Sequence, residues 1–489
     1  MKGNMIRYVC LYLMCWLLCS SCSEKKEILS VEENVPAIFP DYIGVTIPVN
    51  IAPLNFSVQE EGETFIASFE SLKSGYNFEI EDRNKSFNIP LKQWRLLLKE
   101  SLGGEVQVTI MKKRNEKWSA YQPFLFYVAN EPIDDYLVYR LIEPGYALWN
   151  QMGIYQRNLT DFKQTVIYEN KMGQLNCVNC HSFCMNDPEK MLLHMRASNS
   201  GTLVIEGKDI KKIDSHSFQE FTPLVYPYWH PDGRYIAFSV KETTQEVHAT
   251  QRVEVFDVKS DVIVYDKKEH KALISPCIAS SSTFETFPSF SPDGKYLYYC
   301  TAPICAMPDS IQQLKYSICR IPFNSSTGTF GNQVDTIYNA RLKGDSFSFP
   351  RVSPDGRFLM CTRSDYGTFP IWHQEADLCM IDLEKGEECD LSLVNSNDTE
   401  SYHSWSSNGR WVVFSSRRLD GLYTRPFIAY VSERGEVFKP FLLPQQDTDF
   451  YSLLMKSFNI PEFVKGAVTV KRLNSFSKKY QKSDNCFRG

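Results

Sequence analysis

Short runs of alternating apolar and polar residues fill most of the chain, and polar or glycine-containing turns separate them. Between residues 42 and 130 such runs occur at 44–49, 64–69, 106–110 and 124–128. Alternation with a period of two is typical of half-buried strands. The pattern therefore predicts a β-sandwich-like domain over residues 41–130. Residues 90–99 instead carry apolar side chains at helical spacing, which predicts one short helix.

The second half of the chain contains an internal repeat. Four segments share the order short strand, turn, longer strand, and they are centred on Asp232, Asp293, Asp355 and Asn408, which lie 61, 62 and 53 residues apart. Three of the turns read Pro-Asp-Gly. Proline fixes its own φ, aspartate bonds the following backbone, and glycine accepts a positive φ, so these aspartates are interpreted as turn residues and not as catalysts. A unit that cannot bury its own faces must stack on its neighbours around an axis.

These segments resemble the PD40 or TolB-type variant of the WD40-like propeller repeat. At about sixty residues per blade, the resemblance implies about six blades within residues 131–489. Residues 201–205 fit an upstream blade strand. Residues 458–463 and 467–470 are candidates for closing the ring, with outer strands from 136–171. We therefore expect an all-β chain, in which a β-sandwich-like domain precedes a six-bladed propeller with a short helical insert at about 172–200.

The first 22 residues have the features of an export signal. Lys2 and Arg7 precede an apolar stretch at 8–18 that is too short to span a bilayer. Small residues before Cys22 resemble a lipobox, in which the cysteine is lipidated and the chain is cut before it. A plain secretory signal is the alternative. We expect an outer-membrane lipoprotein of the cell envelope that is attached to the membrane through Cys22 and has a polar tether at 23–40.

Cys177-Val178-Asn179-Cys180-His181 has the form C-x-x-C-H, the attachment signal of c-type haem. Two intervening residues bring both thiols within reach of the haem vinyl groups, and the adjacent histidine binds the iron. The wider stretch 136–196 resembles envelope lipoproteins that join a TolB-like propeller to a C-x-x-C-H insert. The motif therefore predicts haem c held by Cys177, Cys180 and His181.

The residues after the motif predict a short helix. Asp187-Pro188-Glu189 fits a helix start, and Met191, His194 and Met195 would then project from neighbouring positions. His194 or one of the methionines is a candidate for the sixth iron ligand, so that His181 and His194 are the predicted metal ligands. Methionines at helical spacing are, alternatively, ordinary core residues.

Two other interpretations of the cysteine motif stay open. Cys177 and Cys180 could form a disulfide or redox pair. Cys177, Cys180 and Cys184, with His181 or His194, could bind a structural zinc ion. Eleven cysteines follow Cys22, an odd number for an oxidising compartment, and the sequence does not give their pairing.

Charge and motif searches narrow the possible functions. The formal net charge is −5 and no basic stripe is present, so nucleic-acid binding is not expected. The chain has no G-x-S-x-G, P-loop or H-E-x-x-H motif, so an enzyme is not favoured. Three hypotheses follow: a haem-binding propeller for electron transfer or redox sensing, a scaffold that binds an envelope protein or glycan, and an enzyme acting in the propeller funnel.

Overall fold

The computed structural model of the protein describes residues 28–143, 151–173, 177–196, 200–213, 223–247 and 253–469. The predicted signal peptide and Cys22 lie outside these residues. Within the described part of the chain, no helix is long and apolar enough to cross a membrane.

The N-terminal part of the chain consists of two β-sheets and one helix. Its elements are β1 (Ile28–Val31), β2 (Ile38–Phe39), β3 (Thr46–Ile47), β4 (Phe56–Val58), β5 (Thr64–Ser71), β6 (Asn77–Asp82), β7 (Ser86–Phe87), α1 (Leu91–Glu100), β8 (Glu105–Arg114), β9 (Lys117–Ala120) and β10 (Phe124–Val128). Strands β2, β4 and β7 form one sheet, and the other seven strands form the second. Helix α1 confirms the helix predicted at 90–99, and it buries Trp94, Leu97 and Leu98 in the core that both sheets share.

The tether predicted at 23–40 is wrong for its described residues. Strand β1 pairs in parallel with β9, with Ile28 opposite Trp118, and β2 pairs with β4. All four side chains of β1 are exposed. Its position is set by backbone pairing at a sheet edge, which the pattern of apolar and polar residues does not report.

The remaining described residues form the strands of a propeller, with short helices and turns between them. The strands are β11 (Tyr136–Ile142), β12 (Gly153–Asn158), β13 (Gln164–Glu169), β14 (Cys177–Phe183), β15 (Lys190–Arg196), β16 (Gly201–Glu206), β17 (Asp209–Lys212), β18 (Leu224–Trp229), β19 (Tyr235–Val247), β20 (Val253–Asp266), β21 (Lys271–Leu273), β22 (Thr283–Phe290), β23 (Tyr296–Pro303), β24 (Ser317–Asn324), β25 (Thr329–Phe330), β26 (Asp335–Tyr338), β27 (Ser346–Val352), β28 (Phe358–Ser364), β29 (Asp377–Asp382), β30 (Glu387–Glu388), β31 (Glu400–Trp405), β32 (Trp411–Ser416), β33 (Arg425–Tyr430), β34 (Phe441–Leu442) and β35 (Ser457–Val464). Single-turn helices α2 (Ala340–Lys343) and α3 (Phe450–Leu453) lie between them, with 3₁₀ turns at Asn170–Gly173, Ile311–Gln313 and Pro370–Trp372.

These strands form six blades, which confirms the all-β propeller and its predicted blade number. Blade 1 contains β35 and β11–β13, blade 2 contains β14–β17, and blade 3 contains β18–β21. Blades 4, 5 and 6 contain β22–β26, β27–β30 and β31–β34. The innermost strands β35, β14, β18, β22, β27 and β31 contact one another in ring order. Strand β35 pairs with β11, so the C-terminal strand closes the ring as predicted.

The turns of the repeat join the innermost strand of blades 3–6 to the next strand. Their glycines all have a positive φ of 68–79°: Gly233, Gly294, Gly356 and Gly409. In blade 4, Ser291 Oγ donates to Asp293 Oδ1 at 2.6 Å. The same bond recurs from Ser406 to Asn408 in blade 6. The aspartates therefore serve the turns, as the repeat predicts.

The helix predicted after the C-x-x-C-H motif is wrong. Strands β14 and β15 form the first hairpin of blade 2, and Asp187 Oδ1 accepts a bond from the Glu189 amide within the intervening turn. Residues 191–195 are all buried, so this strand has no polar face and no alternation. A fully buried strand gives a continuous apolar run that is indistinguishable by period from a buried helix. The predicted helical insert is instead a regular four-stranded blade.

Candidate functional site

Five innermost strands are interrupted at the same point, where the register shifts and a non-glycine residue has a positive φ. These residues are Tyr226, Phe287, Phe349, Tyr402 and Ile460, with φ of 49–54°. The ring centroids are 4.7 Å apart for Tyr226 and Phe287, 4.2 Å for Phe287 and Phe349, and 5.0 Å for Phe349 and Tyr402. The bulges therefore turn one side chain per blade into the central channel. We call these five residues the channel plug.

A cavity of about 130 Å³ lies beside the plug, on the side of the Pro-Asp-Gly turns. We call it the turn-side mouth. Trp229, Phe290, Trp405 and the turn prolines form apolar walls. Its polar residues come from different blades: His181, Arg351, His403, Ser404 and Glu462. The cavity is therefore an apolar pocket with a few convergent polar groups, the usual character of a binding site.

Arg351 brings a positive charge to the turn-side mouth. Its guanidinium carbon lies 4.6 Å from the ring centroid of Tyr228, and Nη1 donates to the carbonyl of Pro350 at 3.0 Å. No carboxylate among the described residues forms an ion pair with it within 4.0 Å. Burial lowers the pKa of Arg351, although nearby Tyr228 and Glu462 oppose this effect. A guanidinium carries five N–H donors, and the bond to Pro350 uses one of them.

Glu462 and His181 meet on the other wall of the mouth, where burial favours the neutral form of each. The amide of Phe183 donates to Glu462 Oε1 at 2.9 Å, and His181 Nε2 lies 4.0 Å from Oε2. Burial raises the pKa of Glu462 to about 8, although 19% of its side chain stays exposed. Burial and the charge of Arg140 lower the pKa of His181 to about 3. Hydrogen bonding to the backbone of Ile460 and Val138 opposes this shift but does not cancel it.

The C-x-x-C-H residues lie on β14, at the inner edge of blade 2. Cys180 pairs with His194 and His181 pairs with Leu193. Directly opposite residues of an antiparallel pair share a face. Met191, Leu193 and Met195 belong to the core against blade 1, whereas Leu192 belongs to the core against blade 3. His181 therefore faces blade 1, and Cys180 and His194 face blade 3.

These residues, as folded, do not fit a covalently attached haem. His181 lies on the opposite face of the strand from Cys180, and His194 bonds Thr202 Oγ1 through Nδ1 at 2.9 Å. Cys180, His181 and His194 are each less than 5% exposed, and Met191 and Met195 are core residues. The cavity volume is below the roughly 300–1,000 Å³ of small-molecule pockets. Haem attachment stays a prediction from the sequence.

The two alternatives for the motif have different geometric requirements. Within the described residues, no three His, Cys, Asp or Glu side chains are close enough to hold a metal ion. Cys177, Cys180 and Cys184 are free thiols, and Cys184 Sγ lies 3.6 Å from the carbonyl of His230. Burial raises the pKa of Cys184 to about 11, which disfavours the thiolate that binds zinc or attacks a disulfide.

A second cavity, of about 150 Å³, lies on the other side of the plug. A long hairpin made by β19 and β20 extends from blade 3 beside it. Lys241 Nζ on this hairpin donates to Asp257 Oδ2 at 2.9 Å and to Thr368 Oγ1 of blade 5 at 3.3 Å. Glu254 on the same hairpin lies 3.5 Å from His373. The hairpin thus bridges two blades at this end, whereas Arg351 and Glu462 stay partly exposed at the turn-side mouth.

Comparisons with known proteins give distant structural matches only. No protein-family model and no curated protein matches the chain. The structure of TolB from Acinetobacter baumannii is 13% identical with a TM-score of 0.43, covering 76% of this chain and 85% of that one. The β-propeller domain of the Trilobed protease from Pyrococcus furiosus is 10% identical with a TM-score of 0.32, covering 68% and 80%. A puromycin-hydrolyzing peptidase from Mycobacterium tuberculosis is 10% identical with a TM-score of 0.37, covering 82% and 57%. The propeller assignment itself rests on the strand pairing of this chain.

The motif search did not find the residues that line the turn-side mouth. A signal for them is present in four of the innermost strands, where Tyr226-Pro227, Phe287-Pro288, Phe349-Pro350 and Ile460-Pro461 share an apolar or aromatic residue followed by proline, and the first three of these pairs precede the Pro-Asp-Gly turns. Proline lacks an N–H and is found in sheets mainly at edges and bulges. Extending the repeat alignment upstream would therefore have placed the bulges, and with them Arg351 and Glu462 two residues further on.

Proposed function

We propose that this protein is a non-catalytic binding module of the cell envelope. Its TolB-like propeller holds an acidic segment of a partner envelope protein in the turn-side mouth. The observation that carries the proposal is Arg351, a partly buried guanidinium that lines an apolar-walled cavity and has no carboxylate paired to it among the described residues. Arginine binds carboxylates through two parallel hydrogen bonds, which gives both affinity and orientation.

The neutral state of Glu462 supports an external acid as the ligand. A buried charge is costly unless it is paired. Glu462 is the carboxyl that lines the mouth together with Arg351. Burial raises its pKa to about 8, however, and so favours its protonated form at neutral pH. A ligand carboxylate would therefore complete the charge balance of the mouth, and protonated Glu462 would add a hydrogen-bond donor.

The dimensions of the cavity favour a protein segment over a glycan. A volume of about 130 Å³ accepts one side chain or a chain end. Its walls of tryptophan, phenylalanine and proline suit an extended peptide with apolar neighbours. An acidic sugar offers the same carboxylate on a bulkier ring, and its binding is the alternative outcome of the test.

Replacing Arg351 tests the ligand class. Fluorescent peptides that carry a terminal or side-chain carboxylate, their amidated counterparts and oligomers of a uronic acid are titrated against the full chain. We expect the acidic peptides to bind, and Arg351→Gln to weaken them about tenfold or more, as for the loss of a charge-assisted bidentate contact. Arg357→Gln is the matched control, because Arg357 lies on the same blade but already pairs with Asp382 at 2.9 Å. Equal binding by Arg351→Gln and wild type would contradict the proposal.

The location in the envelope is tested at the N-terminus. The support for it is the positive, apolar and small-residue order of residues 2–22 that ends at Cys22. We expect the wild type to stay with the membrane fraction after a high-salt wash, and Cys22→Ala to be released or to keep its signal peptide. Cys19→Ala is the control. Unchanged membrane attachment in Cys22→Ala would rule out a lipid anchor at this residue.

A covalent haem at Cys177 and Cys180 is the competing function, and its support is the C-x-x-C-H string. A haem stain after denaturing electrophoresis separates the two functions. For the binding module we expect no stained band, even when a cytochrome c maturation system is active in the host. A stained band that disappears in Cys177→Ala with Cys180→Ala would establish haem attachment and would require β14 to leave its blade.

A further inference from the structure

Two buried cysteines of blade 5 face each other across neighbouring strands. Cys361 lies on β28 and Cys379 on β29, and the two are direct partners in the antiparallel pair. Their sulfur atoms are 2.8 Å apart, inside the separation of two thiols in ordinary contact. Cys361 is fully buried and Cys379 is 6% exposed. Backbone pairing thus holds two thiols side by side, where no solvent separates them.

We propose that Cys361 and Cys379 form a cross-strand disulfide when the chain folds outside the cytoplasm. Directly opposed residues of an antiparallel pair lie within the Cα separation that disulfides span. In the step, an external disulfide, protein or small molecule, accepts two electrons and two protons and becomes two thiols. Cys361 and Cys379 lose the two hydrogens and gain one S–S bond. The proposal shares with the proposed function only its export, and it does not depend on the ligand of the turn-side mouth.

A neighbouring pair of cysteines shows how specific this geometry is. Cys300 on β23 pairs with Ile318, and Cys319 on β24 pairs with Tyr299, so the two cysteines are one residue out of register. A shift of one residue places two side chains on opposite faces of a sheet. Accordingly Cys300 lies in the core between blades 4 and 5, and Cys319 lies in the core between blades 3 and 4. Cys300 and Cys319 therefore stay thiols and serve as an internal control.

The proposed bond closes the loop that contacts the long hairpin. Residues between Cys361 and Cys379 include Thr368, which bonds Lys241, and His373, which lies beside Glu254. A disulfide restricts such a loop mainly in the unfolded chain and so stabilises the folded blade. Oxidation of blade 5 would therefore fix the wall against which the β19–β20 hairpin packs.

Peptide mapping tests the bond directly. Full-length protein is taken from the envelope fraction, its free thiols are alkylated under denaturing conditions, and it is digested with trypsin without reduction. Cleavage after Arg357, Arg363 and Lys385 places the two cysteines in separate peptides, 358–363 and 364–385. We expect these peptides to be linked, and the link to disappear on reduction. Peptide 316–320, which contains Cys319, should be alkylated throughout.

Two cysteine variants and a refolding experiment test whether Cys361 and Cys379 form the bond. Cys361→Ser should leave Cys379 alkylated and lower the unfolding midpoint by several degrees, whereas Cys300→Ser should leave the link intact. If the chain is not exported in the host, full-length protein is refolded in a glutathione redox buffer and mapped in the same way. Alkylation of both Cys361 and Cys379 in the refolded protein would overturn the disulfide. If the peptides are linked after refolding but not in protein from the cell, the cysteine pair can form the disulfide and the predicted export of the chain is wrong.

Discussion

Two side chains, Arg351 and Glu462, set the charge of the turn-side mouth. Both are brought there by the same local event, since each lies two residues after a bulge in an innermost strand. The residues that face Glu462 from other blades are His181 on β14, Tyr228 on β18 and Arg351 on β27. Among Glu462 and the three residues that face it, Glu462 is the one with a pKa near the physiological range. Its ionisation is therefore the titration expected to change the mouth.

Binding of an acidic peptide should weaken as the pH rises from 7 to 9. Glu462 has a pKa of about 8, so it loses its proton in this range, and the new charge repels the ligand and competes for Arg351. A roughly tenfold rise in Kd by pH 9 follows if the ionised form does not bind. Glu462→Gln should bind with nearly constant affinity over the same range in a fluorescence titration. Glu384→Gln, an exposed carboxylate, is the control. Retention of the full pH dependence in Glu462→Gln would exclude Glu462 as its source.

The raised pKa of Glu462 can also be tested without a ligand, through the pH dependence of the protein's stability. Its pKa is raised by folding from 4.5 to about 8, so between these values the folded state holds a proton that the unfolded chain releases. The free energy of unfolding contributed by Glu462 therefore falls as the pH rises through this window. Thermal midpoints measured from pH 5 to pH 8 should fall less in Glu462→Gln than in wild type. An identical slope in both proteins would contradict the raised pKa.

At the scale of the elements, the Pro-Asp-Gly turns offer a matched pair of glycines. Gly294 and Gly356 have φ of 72° and 79°, so alanine is strained at both positions. A Cβ at Gly294 would lie 2.3 Å from His230 Nε2, whereas a Cβ at Gly356 has no neighbour within 4 Å. His230 is buried against Tyr235 and Phe290 and has no free space to move.

Gly294→Ala should consequently destabilise the protein more than Gly356→Ala. We expect about 1–2 kcal/mol for the backbone strain at Gly356, and about 1–3 kcal/mol beyond that at Gly294 for displacing a packed ring. Denaturant unfolding followed by tryptophan fluorescence measures both values. Equal losses would mean that His230 moves without cost and that the contact between blades 3 and 4 at this turn is loose.

Elements with a local sequence motif were predictable from the sequence, whereas elements defined by strand pairing and packing were not. The four repeat turns carry their conformation in three residues, so the blades around them were found. Strand β15 gave a false helix because blade 1 covers one of its faces and blade 3 covers the other, which removes the alternation on which a strand prediction depends. The turn-side mouth was missed because its polar residues are far apart in the sequence. Arg351 and Glu462, the two that are nearest, are separated by 111 residues, and they meet His181 only when the ring closes.

At the scale of the whole molecule, closure of the ring depends on one late strand. The apolar core is divided into clusters between neighbouring blades, and the largest cluster joins blades 5, 6 and 1 and the N-terminal sheets. Strand β35 lies at this junction. Phe458 and Phe463 are fully buried in the cluster, and the carbonyl of Phe458 accepts a bond from Thr424 Oγ1 of blade 6 at 2.7 Å. A chain without β35 therefore lacks the pairing to β11 and the packing of Phe458 and Phe463 between the first and last blades.

Ending the chain after Lys456 should abolish cooperative folding. The loss leaves β11 with an unpaired edge inside the ring and exposes the apolar surface that Phe458 and Phe463 cover, so we expect aggregation or a broad, protease-sensitive unfolding transition.

A chain that ends after Thr469 is the control. It keeps β35 and also Val468, whose backbone bonds Gln156 of β12 at 2.7 and 3.0 Å, so its unfolding midpoint should lie within a few degrees of the wild-type value. Size-exclusion chromatography and limited proteolysis compare the three proteins. A monomeric chain ending at Lys456 with a wild-type unfolding transition would show that blades 1 and 6 hold the ring together without β35, and the C-terminal strand would then be needed only to place Glu462 in the turn-side mouth.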